Sequence, residues 1–81
     1  MNGKISTRAG DVLILTTLAG GNLHALGGIS GDGQQDLRNS PSLKYVTGRQ
    51  AAEAEARLLV MPSRQIFLKD IHTGEWDEIP S

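Results

Sequence analysis

The chain has 81 residues, 38% of them hydrophobic, with no cysteine and a net charge of −1. Those figures allow one small core and no second one, and they exclude disulfides and thiolate metal sites. They give no excess of positive charge for a nucleic acid, and no apolar run approaches the roughly 18 residues that cross a bilayer. The lack of cysteine fits a reducing compartment, so a cytoplasmic protein is expected.

Residues 1–9 are polar and without periodicity, and they read as a flexible tail ahead of a single domain over residues 10–81. Residues 12–18 (Val-Leu-Ile-Leu-Thr-Thr-Leu) are short and rich in β-branched side chains, which favours a strand over a helix capped by Asp11. Lys4 and Arg8 before this run and Ala19-Gly20-Gly21 after it share features with a leader peptide, but Asp11 at the edge of so short an apolar stretch argues against one. Ala19-Gly20-Gly21-Asn22 is a turn signal, so a second strand over residues 23–29 closes a hairpin. Gly27-Gly28 inside that strand implies a bulge or a close backbone approach.

Eight of the ten glycines fall in residues 10–48, and residues 30–42 form a long loop expected to be mobile. Residues 43–46 add a short third strand if they pair. Thr47-Gly48-Arg49-Gln50 fits a capping box opening a helix over residues 51–60, with Glu53 and Arg57 as an i,i+4 pair and Pro62 beyond its end. On that helix Ala52, Ala56 and Leu59 form an apolar stripe, with Ala51, Ala54 and Leu58 beside it and Glu55 between the two groups. Residues 64–71 and 75–79 make a closing hairpin whose turn, His72-Thr73-Gly74, places Gly74 where a positive φ is needed.

The expected fold is therefore α+β: a mainly antiparallel sheet of four strands, five if residues 43–46 join, with one helix on one face in the order β-β-(β)-α-β-β. A double-stranded-RNA-binding-like topology is an alternative, though the basic residues are too scattered for that activity. Side chains alternate across a strand, so one helix covers one face only. Leu13, Leu15, Leu26, Phe67 and Ile71 are then left as an apolar surface, which points to a small interaction module that self-associates, as a homodimer, through this face or an edge strand, or that binds another protein.

Few residues carry chemistry. His24 and His72 lie far apart and outside any ligand-spaced cluster. Residues 30–36 superficially resemble a calcium loop, but counting from Asp32 puts Leu37 where the turn glycine belongs and Leu43 where the bidentate glutamate belongs. No Gly-rich phosphate fingerprint and no nucleophile–base pair is present, so no catalytic residue, metal or cofactor is expected. Glu55 becomes a site candidate only if it is buried, and a rim position with its carboxylate in water is the expected one. Residues 37–52 hold Arg38, Lys44 and Arg49 with no acid until Glu53, and Tyr45 lies among them. With the helix start they make the alternative function, a phosphate- or nucleic-acid-binding module. Residues 70–78, by contrast, hold Asp70, Glu75, Asp77 and Glu78 without a Lys or Arg.

The glycine-punctuated hairpin, the spaced alanines that follow Thr47 through residue 56, and the closing Ile66-Phe67-Leu68-Lys69-Asp70…Thr73-Gly74-Glu75-Trp76 hairpin resemble small bacterial strand-strand-helix-strand domains. Those domains have no assigned activity. The resemblance covers residues 11–79 and implies the α+β fold without supplying any functional residue.

Overall fold

The computed structural model describes residues 5–17, 22–33, 36–38 and 40–81. Its elements are β1 (Val12–Thr16), β2 (Leu23–Gly28), β3 (Lys44–Thr47), α1 (Arg49–Leu59), β4 (Ile66–Asp70) and β5 (Trp76–Ile79). They build the expected α+β fold as one five-stranded sheet in the order β3-β2-β1-β4-β5. Three pairs are antiparallel, while β1 and β4 run parallel with Val12 beside Ile66 and Leu13 beside Phe67. The parallel pair needs a crossover, which α1 supplies by carrying the chain back over the sheet. No helix among the described residues is long and apolar enough to cross a membrane.

The hairpin of β1 and β2 forms as expected, but β1 stops at Thr16, and the turn residues 19–21 and Leu18 lie outside the described residues. Of the bulge and the close approach expected at Gly27, the structure shows the close approach. The register runs unbroken through Gly27 and Gly28, and a Cβ on Gly27 would stand 2.3 Å from Ser40 Oγ. Ser40 and Ser42 use that proximity, Ser40 Oγ donating to the Gly28 carbonyl and Ser42 Oγ accepting from the Gly28 N–H. The closing hairpin is shorter than the alternation suggested, with β4 from Ile66 to Asp70 and Gly74 at φ 78° in its turn. Asp70 Oδ1 accepts from the His72 and Thr73 amides and shapes that turn.

The capping box is not formed. Thr47 is recruited as the last residue of β3, paired with Leu23, so the N-cap falls on Gly48 at φ 93°, without a side-chain hydrogen bond. A residue with a Cβ is disfavoured at that φ, which is why glycine occupies the corner between strand and helix. The helix seats Ala52 and Ala56 against Val12, Ile14, Leu26, Ile66, Leu68 and Ile79, with small side chains that let it lie close.

Two expectations about the other face are corrected. Leu26 is not on it: in an antiparallel pair, opposite residues point the same way, and Leu26 stands opposite Ile14, under the helix. The face is also not left bare. Residues 5–9, expected as part of a tail, place Ile5 against it, and the 30–42 loop brings down Leu37; together with Ile29 and Ala25 they enclose Leu13 at 1% exposure and Phe67 at 5%. Trp76 meets Phe67 edge to face, with ring centroids 5.8 Å apart. The Gly33 amide donates to the Thr7 carbonyl and the Ala9 amide to Asp32 Oδ1, tying the two covering segments to each other.

After α1 the chain turns at Met61-Pro62-Ser63-Arg64, closed by the Arg64 amide on the Met61 carbonyl at 3.1 Å. Ser63 sits at φ 63°, where such turns prefer glycine or asparagine. Ser63→Gly is expected to raise stability by about 0.5–1 kcal/mol, the relief of the left-handed strain less the entropy glycine gains when unfolded. A denaturant titration checks this, and a loss of stability would show that the serine side chain contributes more than its strain costs.

Candidate interaction surface

The residues expected to form an apolar contact surface do not come together as one. Leu13, Leu26 and Phe67 belong to the interior of the single chain, and Leu26 lies on the opposite side of the sheet from the other two. Leu15 is half-buried against the second cluster, and Ile71 is exposed beyond the end of β4.

The basic residues of the alternative reading are also placed. Arg38 Nε donates to Asp36 Oδ2, Lys44 Nζ to Glu55, and Arg49 Nε to Glu53 Oε2 at 3.0 Å. The Arg38 backbone N–H, and then its guanidinium, hold the Asp36 carboxyl below its ordinary value. All three cations therefore face a carboxylate that a phosphate must displace. Tyr45 stands clear of this pairing at 66% exposure. Glu55 takes the rim position expected of it, its carboxylate partly in water and paired to Lys44.

The histidines divide. His72 is exposed in its turn, with Nε2 3.2 Å from the Thr17 carbonyl. His24 is buried, Nδ1 lying 3.2 Å from Thr16 Oγ1, while Nε2 has no hydrogen-bond partner among the described residues. The described residues contain no group of three or more His, Asp or Glu able to hold a metal ion.

What the sequence did not reveal is how differently the two sheet edges are built. An open edge strand is a template for another strand unless it is charged, bent or interrupted. β5 is defended: Asp77 and Glu78 are exposed on it, and Pro80 follows with no N–H to offer. Arg57 Nε further ties that end by donating to the Pro80 carbonyl at 3.0 Å. β3 has fewer of these devices. It reads Lys-Tyr-Val-Thr, with high strand propensity, no proline, and its one charge already paired with Glu55.

The ladder also fixes which groups of β3 face away from β2. The Gly48 amide bonds to the Asn22 carbonyl, and antiparallel pairing alternates. Val46 and Lys44 therefore bond inward to β2, and the N–H and C=O of Tyr45 and Thr47 point outward.

Above this edge lies one flank of α1. Residues turn about 100° each around a helix. With Ala52 and Ala56 facing the sheet, Ala51, Glu55 and Leu58 share one side, and the Lys44–Glu55 pair shows that this is the β3 side. Leu58 is 79% exposed there. The helical period already set Ala51, Ala54 and Leu58 beside the buried stripe; that this second group stays open follows only from where β3 lies. No family model matches the chain, and no curated protein or solved structure matches it significantly.

Proposed function

We propose that the protein is a small interaction module that self-associates through the β3 edge, two copies joining their sheets into one. The observation that carries this reading is the pairing of an unprotected edge strand with an exposed leucine on the helix flank above it. A two-fold axis at the edge sets β3 of each copy antiparallel to the other, an isologous contact. Residues that oppose each other must share a face, so the register centred on Tyr45 places Tyr45 opposite Tyr45, Lys44 opposite Val46, and Leu43 opposite Thr47. Lysines do not meet, the two tyrosines do, and the helices approach with Leu58 on the shared side. The Lys44–Glu55 pair removes the charge that would otherwise guard the edge.

A four-residue edge and one leucine per copy make a small contact, which belongs with the weak, transient class. Sedimentation or light scattering should therefore show the mass rising from 8.7 kDa toward twice that value as concentration increases from about 10 μM to about 1 mM. Thr47→Pro removes an outward N–H without touching the ladder to β2, and Leu58→Glu charges the flank. Both variants are expected to stay at the single-chain mass with an unchanged far-UV spectrum. A wild-type mass that never rises over this range would defeat the proposal, as would association that survives both substitutions.

A further inference from the structure

We infer that the cleft between the N-terminal turn and the turn after α1 is a binding site for a small molecule carrying an oxyanion, phosphate or carboxylate, gripped between Arg8 and Arg64. The cleft measures about 420 Å³ and is lined by Ser6, Arg8, Asp11, Ser63, Arg64 and Gln65. That volume suits a small ligand rather than a single water.

Three features set this place apart from the rest of the surface. First, its arginines are unspent. Arg38, Arg49 and Arg57 each face a carboxylate, whereas neither Arg8 nor Arg64 has one within 4.0 Å among the described residues. A guanidinium is a planar fork matched to carboxylate and phosphate oxygens. Second, the two walls are held in place before any ligand arrives. The Asp11 carboxylate, 2% exposed, accepts from the Arg8 amide on one wall through Oδ2 and from the Gln65 amide on the other through Oδ1, at 2.8 and 2.9 Å. Its oxygens serve the backbone, so it anchors the main chain at Arg8 and at Gln65, the neighbour of Arg64, without pairing with either guanidinium. The stem of Arg64 lies along Gly10, where a Cβ would stand 3.0 Å from Arg64 Cγ. Third, Ser6 and Ser63 also line the cleft, Ser63 from the left-handed turn position, and bring hydroxyl-bearing side chains to it. With Asp11 counted, the described lining residues carry a net charge of +1, which favours an anion.

This site lies away from β3 and stands or falls independently of self-association. The test is a titration of the full chain, followed by backbone amide NMR, with inorganic phosphate and separately with acetate, each against chloride at matched ionic strength. Saturable shifts confined to the amides of Ser6, Arg8, Ser63 and Arg64 are expected with at least one of the two anions. The better anion identifies the ligand's head group. The double variant Arg8→Gln, Arg64→Gln, with its remaining amides unmoved, should weaken that binding at least about tenfold. Shifts no larger than those from chloride, or binding that persists in the double variant, would overturn the assignment.

Discussion

Leu13→Ala is expected to destabilise the isolated chain by about 2–5 kcal/mol, the range for deleting a fully buried leucine side chain and leaving its cavity. The site cannot easily collapse, because Leu13 is enclosed between the sheet and two segments, carrying Ile5 and Leu37, that hydrogen bonds tie to each other and to the sheet. A chain of this length has a total stability of about 4–12 kcal/mol, so the substitution consumes a large part of it. Urea denaturation at two protein concentrations is the measurement. A loss that is the same at both identifies Leu13 as interior. A loss that appears only at the higher concentration would instead make Leu13 a contact between copies, and the covered second face would be wrong.

Asp11→Ala is expected to cost about 2–4 kcal/mol. The carboxylate accepts two backbone N–H groups from segments 54 residues apart in one case and three in the other. Each half-buried donor that loses its acceptor carries a desolvation penalty of about 1–3 kcal/mol. The residue also holds its surroundings through its main chain, its carbonyl accepting from Ile29 and its N–H donating to the Arg8 carbonyl. The damage should therefore centre on the N-terminal turn and the start of β4. Hydrogen exchange tests that directly: the Arg8 and Gln65 amides should lose protection first, with Asp11→Asn intermediate. Exchange unchanged at both amides would show that water replaces the carboxylate without loss.

The parts of the fold that were legible from sequence are those decided locally. The helix announced itself through its alanines and through Glu53 and Arg57, which do pair, and Gly74 marked its turn. The failures all depended on distant partners. Thr47 satisfied every local rule for a helix cap, yet pairing with Leu23 claimed it for β3. Leu26 lies under the helix, not on the second face, because the facing of β2 relative to β1 depends on register, and a slip of one residue exchanges the two faces. Ile5 and Leu37 are single apolar residues in polar surroundings, and no periodicity distinguishes such a residue from an exposed one. The candidate surface fails for the same reason: strand alternation assigns a side chain to a face but does not reveal that the chain folds its own loops over that face. The basic residues looked free because Asp36 and Glu53 border their stretch and Glu55 reaches across from the helix to Lys44.

The side-by-side run of β1 and β4 has a consequence for how the molecule assembles. β2 follows β1 closely enough to zip onto it early, but the other margin of β1 waits for residues more than fifty positions downstream. Until they arrive, the greasiest segment of the protein presents bare amides and carbonyls to any neighbour. Docking of β4 is thus expected to be the slow step of folding, since non-local contacts repay loop closure last. A nascent chain interrupted before Asp70 would be the form most prone to clumping.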